Sequence, residues 1–103
     1  MMELALGGNI VLVGFRLDGQ EMILVKKIVG NYAKKIRNFA EYNQMKVELR
    51  THKKSKQEEY EAKVDLDVDG KMITSEDRGV NPYSLIDSVL KKVLHEVQHQ
   101  TTK

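Results

Sequence analysis

Cysteine is absent from this 103-residue chain, which excludes disulfides, thiolate nucleophiles and cysteine-ligated zinc or iron–sulfur centres. Tryptophan is absent too, and aromatic residues make up only 6%. That argues against stacking platforms for single strands but leaves backbone binding open. Proline occurs once and no Gly/Ser linker or internal repeat is present, so one domain is expected over 1–103, with its core at about 8–97 and a short tail at 98–103. Apolar runs such as Ile10–Val13 and Met22–Val25 fall far below the roughly 20 residues of a membrane helix. Met1–Gly8 lacks the basic segment and apolar length of a signal peptide. The expectation is a cytoplasmic protein that uses no membrane, no cofactor and no small-molecule substrate. A chain this short has little material left over for a walled active site once its core is built.

Charge is what the sequence does have, 31% of residues, with a net of only +2. The sum conceals an asymmetry. Residues 16–56 hold eleven Lys/Arg against four acids, whereas residues 57–70 hold one Lys against six acids. Such a split suggests one surface suited to a polyanion and another that is not.

The hydropathy pattern orders the elements. Asn9–Phe15 is apolar, β-branched and bounded by Gly7-Gly8, and reads as a buried strand. Asp18 followed three positions later by Glu21 is a capping box. Behind it Met22, Val25, Val29, Tyr32, Ala33, Ile36 and Phe39 recur at helical spacing to about Asn38, opposite Lys26, Lys27, Lys34, Lys35 and Arg37. Gly30 in that helix either admits a close approach or weakens it. Met45–Thr51 and Tyr60–Val68 alternate as half-buried strands, and Asp69-Gly70 signals a two-residue hairpin that sets Ile73 opposite Leu66. Asn81-Pro82 caps a last helix with Leu85, Ile86, Val89, Leu90, Val93, Leu94 and Val97 as its apolar stripe. The expected fold is α+β, βαβββα: a four-stranded sheet with both helices on one face and the first two strands parallel. The other face, with Lys46, Glu48, Arg50, Lys63, Asp65 and Asp67, is expected to stay in water.

Chemistry-bearing patterns are weak. His95-Glu96-Val97-Gln98-His99 spells H-E-x-x-H on a helix, but only four residues follow, so no downstream third ligand is available, and a helix C-terminus favours His in any case. His52 joining from a loop would make adventitious metal binding, not catalysis. Asp65, Asp67 and Asp69 read as a solvated strand face rather than a cation site. Ser75, Ser84 and Ser88 have no evident His and acid partners, and Gly7-Gly8 lacks a phosphate-loop pattern. The basic clusters are better candidates. They are Arg50–Lys56, including Lys53 and Lys54, read as a cationic connection between strands; the lysines of the first helix; and Lys91-Lys92 on the last. Together they favour contacts to RNA phosphates.

The element order, the first helix ending Tyr32-Ala33-Lys34-Lys35, and the last helix Asn81–Val93 together resemble the ribosome hibernation-promoting factor (ribosome-associated translation inhibitor) family. Tyr83, Ile86, Asp87 and Lys92 stand in register with that family's D-x-Y-x-x-I-D-x-x-x-x-K-L signature. Asn81 replaces its usual Asp, Pro82 is unusual there, and Asp18-Gly19 departs from its common helix start. The resemblance spans about residues 9–100. It implies binding to the small ribosomal subunit and its rRNA in the mRNA/tRNA channel, translation inhibition and protection of idle ribosomes. It further implies a short form without the C-terminal extension that dimerises ribosomes. By position it nominates Lys34, Lys35, Tyr83, Lys91 and Lys92 as RNA contacts; Lys27 and Arg78 are added by charge and expected side. Tyr83 reads equally as a packing residue, and Asp87 as a solvated or capping acid. Two other readings stay open: a double-stranded-RNA-type module, and a protein-interaction domain without an RNA role. An exposed sheet edge also offers pairing with a second copy.

Overall fold

The computed structural model describes residues 3–54 and 57–101; of Lys54 and Thr101 only the backbone is described. The elements are β1 (Glu3–Leu6), β2 (Ile10–Val13), α1 (Gly19–Arg37), β3 (Gln44–Lys54), β4 (Gln57–Val68), β5 (Lys71–Gly79) and α2 (Pro82–Thr101). They form one sheet in the order β1-β2-β3-β4-β5, with β2 and β3 parallel and all other pairs antiparallel. The α+β class and the two-helix, one-face arrangement are those expected from the sequence.

The sheet nevertheless has five strands rather than four. The extra strand, β1, joins β2 through a three-residue turn, Gly7-Gly8-Asn9, in which Gly8 (φ 71°) and Asn9 (φ 61°) both adopt left-handed backbone. Glycine and asparagine are the residues that tolerate that region. Two side chains from elsewhere hold the turn: Arg37 Nη2 and the Tyr42 hydroxyl donate to the Gly8 carbonyl at 2.7 and 2.9 Å. Four residues are too few for a readable alternation, so the strand was hidden behind a Gly-Gly pair that reads as a boundary. At the other end α2 runs to Thr101, so residues 98–101 are helical.

Local chemistry explains the elements that were legible. The Asp18 side chain accepts from the Glu21 backbone at 2.8 Å while Glu21 accepts from the Asp18 N–H at 3.0 Å, the reciprocal capping box. Asn81 Oδ1 accepts from the N–H groups of Tyr83 and Ser84 to start α2. Asp69 and Gly70 turn β4 into β5 with φ of 51° and 80°, and Ile73 pairs with Leu66.

The core lies between the helices and one sheet face. Ile10, Leu12, Met45, Val47, Leu49, Ala62, Val64, Leu66 and Ile73 meet Val25, Val29 and Ile36 of α1 and Ile86, Val89, Leu90 and Val93 of α2. Each fully buried aliphatic side chain contributes about 1.5–3 kcal/mol. Because β2 and β5 run the same way and each feeds a helix returning across the sheet, α1 and α2 run parallel to each other. Hydrogen bonds agree: Tyr83 with Glu21 near both helix starts, then Asp87 with Tyr32 further along. No helix among the described residues is long and apolar enough to cross a membrane.

Candidate nucleic-acid interface

Strand register cancels much of the charge asymmetry. The basic half of β3 and the acidic half of β4 are antiparallel partners: Lys46 faces Asp65, Arg50 faces Glu61, His52 faces Glu59, and Lys53 faces Glu58, while Glu48 faces Lys63. Opposite charges directly across a ladder are favourable. On the sheet face away from the helices the pattern extends to β5, where Glu76 faces Lys63 and Arg78 faces Glu61. Arg78 Nε donates to Glu61 Oε2 at 2.9 Å, Arg50 Nε to Glu48 Oε2 at 3.2 Å, and Thr74 to Asp65 at 2.9 Å. That face is a checkerboard that neutralises itself. The stretch Arg50–Lys54 is therefore strand, not the expected cationic loop, and it lies against the acidic strand rather than away from it; residues 55 and 56 fall outside the described residues.

The outer face of α1 behaves differently. This helix carries Lys26, Lys27, Lys34, Lys35 and Arg37 against a single acid, Glu21. Arg37 is engaged by Gly8 and lies 5.2 Å from the Tyr42 ring. Lys35 Nζ sits 5.1 Å from the Tyr32 ring centroid, a cation–π contact that leaves its charge outward. Lys26, Lys27 and Lys34 are exposed and have no hydrogen bond or ion pair among the described residues. Along the groove between the helices, Lys35 follows Tyr32 by one turn and Lys91 follows Asp87 by one turn. The Tyr32–Asp87 bond therefore brings Lys35 and Lys91 to the same groove. Lys91 is likewise exposed and has no hydrogen bond or ion pair among the described residues.

The nominated cations thus fall into three groups. Lys27, Lys34, Lys35 and Lys91 share the outer helical surface. Lys92 turns toward β5, where its Nζ donates to Asp77 at 3.1 Å, and Arg78 lies on the opposite sheet face; both are neutralised in place. Lys53 stands at the end where the helices begin, lining a depression with Arg16, Thr51, Glu58 and Tyr60. The side chain of Lys54 falls outside the described residues.

Tyr83 is partly buried against the core, and its hydroxyl donates to Glu21 at 3.3 Å. Burial, then the Glu21 carboxylate, push its phenol upward. Neighbouring Tyr60 is also raised, chiefly by donating to Glu58 at 2.8 Å. Asp87, read as a solvated or capping acid, instead accepts from Tyr32 at 2.9 Å and ties the helices together. Burial first, and Asp87 second, push the Tyr32 phenol up to about 12.

Lys26 counts in the basic cluster of the first helix but not among the individual contacts, and Arg16 is not nominated. A helical wheel displays Lys26 on the lysine face, whereas nothing in the sequence marks Arg16. His95, Glu96 and His99 are exposed, His52 lies in β3 at 4.0 Å from Glu61 rather than in a loop, and no group of three or more metal-ligating side chains occurs among the described residues.

Two solved structures share the fold. The N-terminal domain of Thermus thermophilus Protein Y superposes with a TM-score of 0.60 at 15% identity, over 86% of this chain and 93% of that one. A ribosomal subunit interface protein from Coxiella burnetii superposes with a TM-score of 0.62 at 14% identity, over 91% of this chain and 98% of that one. At these identities the likeness is one of fold. No protein-family model matches the sequence, and no curated protein matches it.

Proposed function

We propose that this chain is a ribosome-associated protein that binds small-subunit rRNA through the outer face of α1 and the α1–α2 groove. It would restrain translation by occupying the channel that mRNA and tRNA use. The observation that carries this reading is the contrast between the two faces: the sheet face is neutralised by its own register, while Lys26, Lys27, Lys34 and Lys91 have no partner among the described residues. Exposed lysines on a face without carboxylates are a place for phosphates, and each phosphate neutralised releases counterions. The fold shared with a ribosomal subunit interface protein supports the choice of polyanion. The mechanism is occlusion by a compact cationic body, with no bond made or broken. On this reading the protein works in the cytoplasm, on assembled subunits.

Co-sedimentation with purified small ribosomal subunits across a salt series tests it. The wild type should bind saturably and lose affinity with salt. The Lys27→Ala/Lys34→Ala/Lys35→Ala/Lys91→Ala variant should lose most binding and flatten the log–log salt slope by about 3. The Arg78→Ala/Lys92→Ala variant, which removes only paired cations, should keep both within about threefold. Absent binding at low salt, or binding indifferent to the first four substitutions, refutes the reading and favours a protein-interaction role.

A further inference from the structure

Gly30 sits in the middle of α1, where glycine is among the poorest helix formers, and nothing inside the protein requires it. Its φ is not in the left-handed region, and a Cβ built there would meet no atom within 4 Å. The close approach it permits is therefore not to any of the described residues of this chain. Helical spacing puts it on the outer face, with Lys26 and Lys27 one turn before and Lys34 one turn after. Ile23, two turns before on the same side, is 63% exposed and stands beside the gap that Gly30 leaves.

We propose that Gly30 is a binding notch for an RNA phosphodiester backbone. The missing side chain lets a strand lie against the helix barrel, with Lys26, Lys27 and Lys34 reaching phosphates on either side and Ile23 as an apolar lip. The occupant is a polyanion because the exposed residues of this face include three cations with no partner among the described residues, and no acid. It is a backbone rather than a base because no aromatic side chain is exposed on this face for stacking. Glycine serves the same purpose wherever a main chain must come close to a ligand. This inference rests on the RNA-binding reading above and adds the point of closest contact.

Gly30→Ala and Gly30→Gln test it, because both replace glycine with a better helix former and so separate folding from binding. Gly30→Ala should raise the thermal midpoint by about 4–8 °C. Binding to small subunits should nonetheless weaken about tenfold, more for Gln than for Ala, as phosphates are held off their lysines. Variants that are stabilised yet bind as the wild type does overturn the notch and leave the RNA-binding reading intact. A variant that lowers the thermal midpoint also overturns it, since glycine would then be a folding requirement. A wild type that fails to bind subunits, or one displaced by polyglutamate but not by RNA, removes the notch and the broader reading together.

Discussion

The bond between Tyr32 and Asp87 joins the two helices across 55 positions of sequence, and its contribution to stability is readable as a function of pH. Tyr32 is 7% exposed, and its phenol is raised from 10.0 to about 12, by burial first and by its bond to Asp87 second. Between those values the folded protein holds a proton that the unfolded chain releases. The contribution is thus fully present below about pH 10 and is lost as pH rises through about 12. A shift of about two units corresponds to at most about 3 kcal/mol. The hydroxyl meets a carboxylate only half-buried, so screening leaves about 1–2 kcal/mol. Tyr32→Phe keeps the ring and removes the donor, and at neutral pH it should cost about 1–2 kcal/mol. The assay is urea unfolding of wild type, Tyr32→Phe, Asp87→Ala and the double variant from about pH 7 to about pH 11.5. The wild-type advantage over Tyr32→Phe should hold steady to about pH 9 and then shrink, and the two single changes should be less than additive in the double variant. A gap that ignores pH through this range, or strict additivity, would refute the helix-locking role.

Two further expectations concern stability. Gly14 has φ of +76° and leaves only 2.7 Å between an added Cβ and the Leu49 carbonyl oxygen of β3. Gly14→Ala should therefore cost about 2–4 kcal/mol by denaturant unfolding, and a loss below about 1 kcal/mol would contradict the close strand approach. The Asp77 carboxyl is held below 3.8 by the Arg78 backbone N–H first and by Lys92 second. Its stabilising effect is present above the ordinary carboxylate value and is lost as pH falls through the depressed one. Wild type should accordingly lose stability more steeply than Asp77→Asn as pH drops below about 4, and superimposable acid limbs would contradict the pairing.

Local signals carried most of the fold. The Asp18/Glu21 box, the Asn81-Pro82 start, the Asp69-Gly70 turn and the two-residue alternation of β3 and β4 are each decided by neighbours within four or five positions, and each occurs as read. What failed locally was decided at a distance. β1 exists because Gly8 and Asn9 accept left-handed backbone and because Arg37 and Tyr42, from around the end of α1, hold the turn carbonyl. Asp87 was misjudged for the same reason: its partner is 55 residues away, and an acid near a helix start looks the same in sequence whether it faces water or a phenol.

The candidate site shows the same division between charge composition and register. A helix displays its cations by a fixed period, so Lys27, Lys34 and Lys35 could be placed outward from spacing alone. A strand's cations depend on what pairs beside them, and that follows from the register in which β3 and β4 meet. Once Lys54 pairs with Gln57, each step down the ladder sets a β3 residue opposite a β4 residue: Lys53 against Glu58, Arg50 against Glu61, Lys46 against Asp65. A slip of one residue in β3 would turn Lys46 and Arg50 onto the core face and Met45, Val47 and Leu49 out to water, so the hydrophobic pattern itself enforces the pairing of these two cations with Asp65 and Glu61. The cations left for a polyanion are then those on an element with no strand beside it. That is the reason the proposed interface is assigned to α1 rather than to the more basic-looking stretch from Arg50 onward, and why removing Lys27 and Lys34 should weaken binding more than removing Arg50 and Lys53.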